Sequence, residues 1–205
     1  MRALNAGTTP RTVLRIAEEI RRNHNVPVAI MTYYNPVFRM GLDNFFRLSK
    51  HCQIDGVIVP DLPVEEAADY KKAATAAEVD TIFLAAPSTS AQRLSKIVEY
   101  SSGFLYLVSH FGVTGAKASL RKSTLQLIKK VLPYTKELIP LAVGFGVSKP
   151  EHVWHIIGAG ADGVIVGSAF VKIIQENQNR IGKMLEEIEK TARTLKEATR
   201  GMDVV

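Results

Sequence analysis

The sequence lacks the features that mark secreted and membrane proteins. It contains one cysteine, Cys52, which has no partner for an internal disulfide. No apolar run reaches the roughly 18 residues of a membrane span, and the amino-terminal stretch has no apolar signal core. We therefore expect a cytoplasmic protein that has no membrane partner, because unpaired thiols are typical of reducing compartments.

The sequence also lacks acidic residues over one long stretch, although its net charge is only +6. From Lys117 to Lys136 every charged side chain is basic. These cations alternate with leucine, isoleucine and valine, which predicts an amphipathic helix with a solvated basic face. On this interpretation nucleic acid is not an expected partner, and an anionic ligand or partner is left as the alternative.

The chain is short for a complete barrel but long enough for one domain. It has 205 residues, whereas a complete (β/α)₈ barrel typically has about 250. Its hydrophobic fraction of 46% and charged fraction of 22% are ordinary for a folded protein and exclude wholesale disorder. No linker, low-complexity segment or composition shift interrupts it. We expect a single domain over residues 1–205.

Six short apolar runs predict six β-strands. Most are continuously apolar, as in strands buried on both faces of a parallel sheet. Their starts lie 22 to 37 residues apart, which leaves room for one helix in each gap and predicts a βα repeat. The runs are VAIMTY from Val28, GVIVPD from Gly56, TIFLAA from Thr81, FLYLVS from Phe104, LAVGFG from Leu141 and GVIVGS from Gly163.

Three helices have recognisable ends or faces. Thr9 before Pro10 is typical of an N-cap followed by proline at the first helical position. Ser148 and Glu151 predict a capping box around Pro150. The stripes that we expect to be buried are Val13, Leu14, Ala17 and Ile20 in the first helix, Val153, Ile156 and Ile157 after Pro150, and Ile181, Met184, Leu185, Ile188, Ala192 and Leu195 in the last.

Repeated parallel βα units form either a doubly wound sheet or a barrel. No G-x-G-x-x-G motif follows the first strand, which disfavours a dinucleotide fold. The last two strands end in Gly144–Gly146 and Gly167-Ser168, where barrels place glycine loops and a helix N-terminus around a phosphate. We therefore predict an α/β protein of the TIM (β/α)₈ barrel class. If these are strands seven and eight, six of the eight βα units are present, with strands three to eight.

Side chains at the carboxyl ends of the strands are the candidates for chemistry, since barrel active sites lie there. Asp61, in Pro-Asp-Leu-Pro, fits a general base, a helix cap or a docking loop, and the sequence leaves all three open. The loop Gly112–Gly115 fits a lid over a phosphorylated substrate or an ordinary turn. Tyr106 fits the core as well as a site. The other candidates are Tyr33, Tyr34, Asn35, Ser88, Thr89, Ser109 and His110.

Two kinds of chemistry are not expected. His110 has no second histidine or cysteine at ligand spacing, which disfavours a metal site. Lys117, the only lysine near a strand end, follows in a loop, so a Schiff-base mechanism is not supported. Asp61 is the only carboxylate at a strand end, so the sequence lacks a convincing acid–base pair for carbon–carbon cleavage.

Five motifs, in order along the chain, resemble the tryptophan synthase alpha chain family. Each motif alone is weakly specific, whereas five in register are specific. The opening segment RALNAG also resembles that family, at a segment that follows its second strand. The five motifs are YYNPVF (33–38), PDLPVEE (60–66), YLVSHFGVTGA (106–116), VGFGVSKPEHV (143–153) and GADGVIVGSAFVKII (160–174).

The resemblance implies a lyase of tryptophan biosynthesis. Such an enzyme cleaves indole-3-glycerol phosphate by a retro-aldol reaction to indole and glyceraldehyde 3-phosphate. It passes indole to a beta chain in an α2β2 heterotetramer. Pyridoxal phosphate belongs to the beta chain, so the resemblance implies neither a cofactor nor a metal for this chain.

The resemblance also implies roles for individual residues. Tyr106 would contact the glycerol part of the substrate, and Thr114 would order the lid. The phosphate would be held by Ser168 and four glycines, Gly115, Gly144, Gly146 and Gly167. Tyr33, Phe145 and Ile165 would line the indole pocket, and Asp61 and Pro63 match a loop that communicates with the beta chain. The implied substrate-binding residues are Tyr33, Tyr106, Thr114, Gly115, Gly144, Phe145, Gly146, Ile165, Gly167 and Ser168.

The family's two catalytic carboxylates match positions upstream of Met1. They are a glutamate on the second strand and an aspartate in the loop after it. No catalytic residue is therefore assigned, and we expect the 205-residue chain alone to be inactive. One alternative is a non-catalytic phosphate-binding subunit that docks on the beta chain and modulates it. Another is a different phosphate-binding barrel enzyme, such as a ribulose-phosphate epimerase or a histidine-pathway isomerase.

Overall fold

The computed structural model describes residues 2–109, 117–144 and 146–200. Helices and strands alternate along it, as the apolar spacing predicts. The strands are β1 (Ala29–Met31), β2 (Gly56–Ile58), β3 (Asp80–Ile82), β4 (Leu84–Ala85), β5 (Leu105–Val108), β6 (Leu141–Gly144) and β7 (Gly163–Ile165). The helices are α1 (Arg2–Asn5), α2 (Pro10–Asn23), α3 (Tyr34–Met40), α4 (Leu42–His51), α5 (Ala68–Ala76), α6 (Ala91–Tyr100), α7 (Lys117–Thr135), α8 (Pro150–Gly158), α9 (Ser168–Glu176) and α10 (Ile181–Glu197). Two 3₁₀ turns cover Val64–Glu66 and Ala198–Arg200.

All strand pairs in the described residues are parallel, which confirms the predicted βα repeat. One sheet has the order β1-β2-β3 and the other β4-β5-β6-β7. Parallel neighbours need a crossover between them, and a helix supplies it in most of the gaps. The predicted run TIFLAA forms two strands rather than one, because β3 and β4 pair in different sheets, with Phe83 between them.

The chain separates into two compact units. Unit 1 comprises Met1–Phe83 and Lys96–Gly103, and unit 2 comprises Leu84–Ser95 and Phe104–Val205. The single domain expected over residues 1–205 stays a prediction. Among the described residues, no helix has the length and the apolar character that crossing a bilayer requires.

The core of unit 1 contains a row of aromatic rings in edge-on contact. Phe46 meets Tyr70 at 5.0 Å between ring centroids, Tyr70 meets Phe83 at 6.2 Å, and Phe83 meets Tyr100 at 6.3 Å. Such tilted pairs place ring edges against ring faces, which adds to the stabilisation that burial itself provides. Cys52 is a free, buried thiol, as predicted, and burial raises its pKa.

The core of unit 2 lies between its sheet and the helices α7 and α8. Leu107, Leu141 and Val143 come from the strands, and Ile128 and Ile156 come from the helices; all are fully buried. The predicted basic face of α7 is confirmed where its side chains are described. There Lys122, Lys129 and Lys130 are exposed while Leu127, Ile128 and Val131 are buried; the side chains of Lys117 and Arg121 lie outside the described part.

The two predicted helix starts have different outcomes. Thr9 caps α2 as predicted: its Oγ1 accepts the Thr12 N–H at 3.2 Å, and Pro10 is the first helical residue. The capping box at Ser148 is wrong. Because α8 begins at Pro150, Lys149 is its N-cap, and no side chain caps it. Ser148 lies one residue too early and donates its N–H to Nδ1 of His152 instead, at 3.4 Å.

The predicted buried stripes are only partly correct. In α2, Leu14 and Ala17 are buried while Val13 and Ile20 are exposed. In α8, Val153 and Ile156 are buried and Ile157 is half-buried. In α10 only Leu195 of the predicted stripe is buried, and Ile181, Leu185 and Ala192 are exposed. Periodicity predicts which side of a helix is apolar, but burial also requires a neighbouring element on that side.

Candidate functional site

In unit 1 the candidate residues follow β1 and β2. Tyr33 comes two residues after β1 and is the N-cap residue of α3, with a side chain that is 69% exposed. Asp61 lies in the turn after β2, and its Oδ1 accepts the Tyr34 N–H at 2.8 Å. Tyr34 is the first residue of α3, so its N–H has no acceptor within the helix. Asp61 therefore caps α3 from another strand end, and the docking-loop and general-base alternatives for this side chain stay predictions.

The turn that carries Asp61 is anchored on its far side. Leu62 and Val64 are buried, while Pro63 between them is half-buried and precedes the 3₁₀ turn Val64–Glu66 as its N-cap. Proline suits this position, because its fixed φ leads into the turn without leaving an N–H unbonded. The segment thus presents an exposed carboxylate and a proline between two apolar anchors.

In unit 2 the candidate residues Tyr106, Gly144 and Ile165 lie together. The Tyr106 side chain on β5 is only 8% exposed, and burial raises the pKa of its phenol. A Cβ added to Gly144 would lie 2.8 Å from both Cε2 and Oη of Tyr106, and 2.9 Å from Cβ of Ile165. No side chain fits there, so the glycine is what allows the phenol to lie against the end of β6.

A fourth residue holds this cluster, and the candidate list from the sequence did not assign it a role. Ser109 follows β5, and both its backbone N–H and its hydroxyl donate to the Gly144 carbonyl, at 2.9 Å and 3.0 Å. Its side chain is fully buried. The only sequence signal was a small polar residue directly after an apolar strand, which does not reveal a bonding partner 35 residues away.

Of the two strands predicted to end at glycines, β6 ends at Gly144, whereas β7 ends at Ile165, two residues before Gly167. Gly146 follows β6 with φ at +75°, a left-handed conformation that favours glycine. Gly167 is the N-cap of α9 and Ser168 its first residue; both are exposed. No side chain of the described residues caps this helix, and its first turn contains no acid. The N–H groups at the start of α9 therefore have the character of an anion-binding helix N-terminus.

Several predicted residues lie outside the described part of the chain. They are Thr114 and Gly115 with the rest of 110–116, including His110, and Phe145 after β6. Among the residues that the structure does describe, no group of three or more histidine, cysteine or acidic side chains has the arrangement of a metal site. Of the other sequence candidates, Thr89 accepts the Ala86 N–H in a local turn, at 2.9 Å.

The parallel βα repeat leaves a barrel or a doubly wound sheet, and likeness to a solved structure decides between them. The chain superposes on a chain from the tryptophan synthase α2β2 complex of Pyrococcus furiosus with a TM-score of 0.87 and 41% identity, over 95% of this chain and 76% of that one. It is an α/β protein of the TIM (β/α)₈ barrel class.

Sequence comparisons identify the family. The family model for the tryptophan synthase alpha chain matches residues 1–200. The chain is 44% identical over 198 residues to the tryptophan synthase alpha chain of Methanothermobacter thermautotrophicus, which covers 97% of this chain and 73% of that relative. It is 48% identical over 176 residues to that of Solibacter usitatus, covering 86% and 65%. The chain belongs to the tryptophan synthase alpha chain family.

Proposed function

We propose that this chain is the alpha subunit of a tryptophan synthase, a lyase that cleaves indole-3-glycerol phosphate to indole and glyceraldehyde 3-phosphate. The observation that carries the proposal is the family match over residues 1–200, together with the likeness to a chain of the P. furiosus α2β2 complex. Nothing in the comparisons favours the alternative of a non-catalytic phosphate-binding subunit.

The reaction is a retro-aldol cleavage, which balances without an oxidant or reductant. The bond between indole C3 and the adjacent glycerol carbon breaks, and C3 takes up a proton. The hydroxyl on that glycerol carbon loses its proton, and this carbon becomes the aldehyde carbon of glyceraldehyde 3-phosphate. One group must donate a proton and another must accept one. This chain uses no cofactor of its own, and pyridoxal phosphate belongs to the beta chain.

The phosphate of the substrate binds between the ends of β6 and β7 in unit 2. Gly167 and Ser168 present the uncapped N–H groups at the start of α9. Peptide N–H groups at a helix N-terminus hold an anion by hydrogen bonding and through the helix dipole. Gly144 and Gly146 allow the backbone to approach the phosphate oxygens closely. The family resemblance assigns Gly115 to the phosphate and Thr114 to ordering the lid.

The organic part of the substrate meets Tyr106 and Ile165. The Tyr106 hydroxyl end lies against Gly144, so it is close to the proposed phosphate site and can bond a glycerol hydroxyl. Ile165, at the end of β7, supplies apolar surface for the indole ring. Tyr33 and Phe145 have an indole-binding role from the family resemblance alone.

The partner of this chain is a tryptophan synthase beta chain in an α2β2 assembly, in the cytoplasm. In the P. furiosus complex the two subunits activate each other mutually. Asp61 and Pro63 belong to the segment assigned to that communication, and Asp61 is both exposed and bonded to the start of α3. A partner that contacts this carboxylate would therefore also change its hydrogen bond to Tyr34 and so the loop after β1.

Ser168→Asp tests the phosphate site. An acid in the first turn suits the helix dipole, so the protein stays folded, but it repels a phosphate. Ser148→Asp, before α8 in the same unit, is the matched control. Calorimetric titration with glycerol 3-phosphate should show binding to the original chain and to the Ser148 variant and none to the Ser168 variant. Equal binding by both variants would contradict the assignment.

The partner is tested by mixing the purified chain with a tryptophan synthase beta chain and measuring the mass of the complex by light scattering. We expect a 2:2 complex, and the absence of any complex would contradict the proposed partner.

The activity of the chain is a separate test. Because the sequence lacks a convincing pair of catalytic carboxylates, we expect the purified 205-residue chain to release no indole. Indole release at an ordinary turnover rate by the purified chain would overturn that expectation.

A further inference from the structure

The carbonyl oxygen of Gly144, at the end of β6, accepts two hydrogen bonds from one residue. A carbonyl oxygen has two lone pairs, and at Gly144 a single residue fills both. The Ser109 N–H donates at 2.9 Å, and its hydroxyl donates at 3.0 Å. Two donors in different directions restrain rotation of the peptide plane, whereas one donor permits it. The Gly144 peptide is therefore oriented by Ser109.

Ser109 acts from the face opposite to the proposed ligand. Successive side chains of a strand point to alternate faces, so Tyr106 and Ser109, three residues apart, point to opposite sides of the sheet. Leu105, Leu107 and Ser109, at alternate positions, are all fully buried, while Tyr106 between them is 8% exposed. A ligand that touches Tyr106 therefore does not touch the Ser109 hydroxyl.

The position of Tyr106 depends on the peptide that Ser109 holds. The glycine at 144 leaves so little room that an added Cβ would lie 2.8 Å from Oη of Tyr106. A rotation of the Gly144 peptide would therefore move backbone atoms into or away from the phenol.

We propose that Ser109 is a positioning residue of the substrate site, which holds the Gly144 carbonyl so that Tyr106 and the carboxyl end of β6 are preorganised for a phosphorylated ligand. This inference rests on the proposed function. Ser109 is not a catalytic residue, because it acts through Gly144 and touches neither the substrate nor the reacting atoms.

Ser109→Ala tests the proposal, and the chain offers a matched control. Ser49 in α4 of unit 1 is also fully buried, and its hydroxyl donates to the Phe45 carbonyl at 3.0 Å. The two alanine variants thus remove the same group, at the same burial and with the same bond length. Any general cost of losing a buried hydroxyl appears in both, whereas a positioning effect appears only at Ser109.

Two readouts are measured on the full chain. The first is the dissociation constant of glycerol 3-phosphate, measured by calorimetry. The second is the hydrogen-exchange rate of the amide at position 109, with the ring resonances of Tyr106, measured by NMR. We expect Ser109→Ala to weaken binding about fivefold, to speed exchange at position 109 and to shift the Tyr106 resonances. Ser49→Ala should leave all three unchanged.

Each outcome decides one question. If the Ser109 and Ser49 variants both bind glycerol 3-phosphate as the original chain does, the positioning role is wrong. The role is equally wrong if both variants weaken binding by the same factor, since the loss is then general. If the original chain does not bind glycerol 3-phosphate, the proposed phosphate site fails, and a positioning role for it fails with that site.

Discussion

Neighbouring strand ends are tied together in both units, but by different means. In unit 1 the exposed carboxylate of Asp61, after β2, accepts the N–H of Tyr34 at the start of α3, at 2.8 Å. In unit 2 the buried Ser109, after β5, gives two hydrogen bonds to the carbonyl of Gly144 at the end of β6. The first link is a single contact open to water, and the second is a double contact shielded from it.

The difference between these links has a physical consequence. An exposed carboxylate exchanges its partner for water or for a group on another protein at small cost. A buried carbonyl that loses a donor has no water to replace it, so the loss is larger. We infer that the link in unit 1 is suited to respond to a partner, while the link in unit 2 is suited to hold a ligand in one geometry.

Gly144→Ala should break the unit 2 arrangement most strongly. The new Cβ would lie 2.8 Å from the Tyr106 ring and 2.9 Å from Cβ of Ile165, so β6 or the phenol must shift. Overpacking of this kind typically costs about 1–3 kcal/mol. This loss in the free energy of unfolding is measured by urea denaturation of the variant and of the original chain.

The control for that experiment is Gly158→Ala in the same unit, where an added Cβ meets nothing within 4 Å. We expect Gly158→Ala to leave the free energy of unfolding unchanged or to raise it, since alanine suits a helix better than glycine. Equal unfolding curves for the two variants would show that the Gly144 contact is not tight.

Asp61→Ala should have a smaller effect, because the released Tyr34 N–H can bond water. Loss of a cap typically costs about 0.5–2 kcal/mol, and exposure places Asp61 at the lower end of that range. Asp61→Asn keeps an acceptor and should retain most of the stability. Urea unfolding of both variants is compared with that of Glu78→Gln, an exposed acid paired with Lys50 at the surface. If Asp61→Ala unfolds at the same urea concentration as the original chain, the cap contributes nothing.

Tyr70→Phe should have the smallest effect at neutral pH. Its hydroxyl donates to the Val57 carbonyl over a long 3.4 Å, and burial raises the phenol pKa above its ordinary value of 10.0. A raised pKa in the folded state means that the unfolded chain loses the proton first. The stability from this group is therefore complete below pH 10 and is lost as the pH rises further.

The measurement for Tyr70→Phe is the free energy of unfolding as a function of pH. The raised pKa of Cys52 acts in the same direction, from its ordinary value of 9.0. We expect both proteins to lose stability at alkaline pH, and the phenylalanine variant to lose less above pH 10. If the free energy of unfolding of the variant falls above pH 10 as steeply as that of the original chain, Tyr70 does not cause the alkaline loss of stability.

The described architecture was largely predictable from local patterns. Continuous apolar runs marked the strands, because a strand inside a parallel sheet is buried on both faces. β2 is buried throughout, whereas Ala29 and Met31 of β1 are exposed. Thr9 and Pro10 marked the start of α2, because a cap bonds within its own turn. The lysines and leucines of α7 marked its two sides, because its period is that of a helix.

The same local patterns failed where a second segment decides the outcome. The run TIFLAA divides into β3 and β4 because its halves pair in different sheets, which no property of the six residues requires. The apolar side of α10 stays largely exposed, because periodicity describes one helix and burial requires two elements. Ser148 was a plausible cap, but α8 begins one residue too late for it.

The sequence by itself determined the βα order of this protein, its strand positions and its family, since each follows from residues close together or from motifs in register. Only the tertiary structure decided that Asp61 bonds a residue 27 positions earlier and that Ser109 bonds one 35 positions later. The physical reason is that an unbonded carboxylate or hydroxyl has many possible partners along a chain. Which partner it finds depends on the strands that the fold has placed side by side.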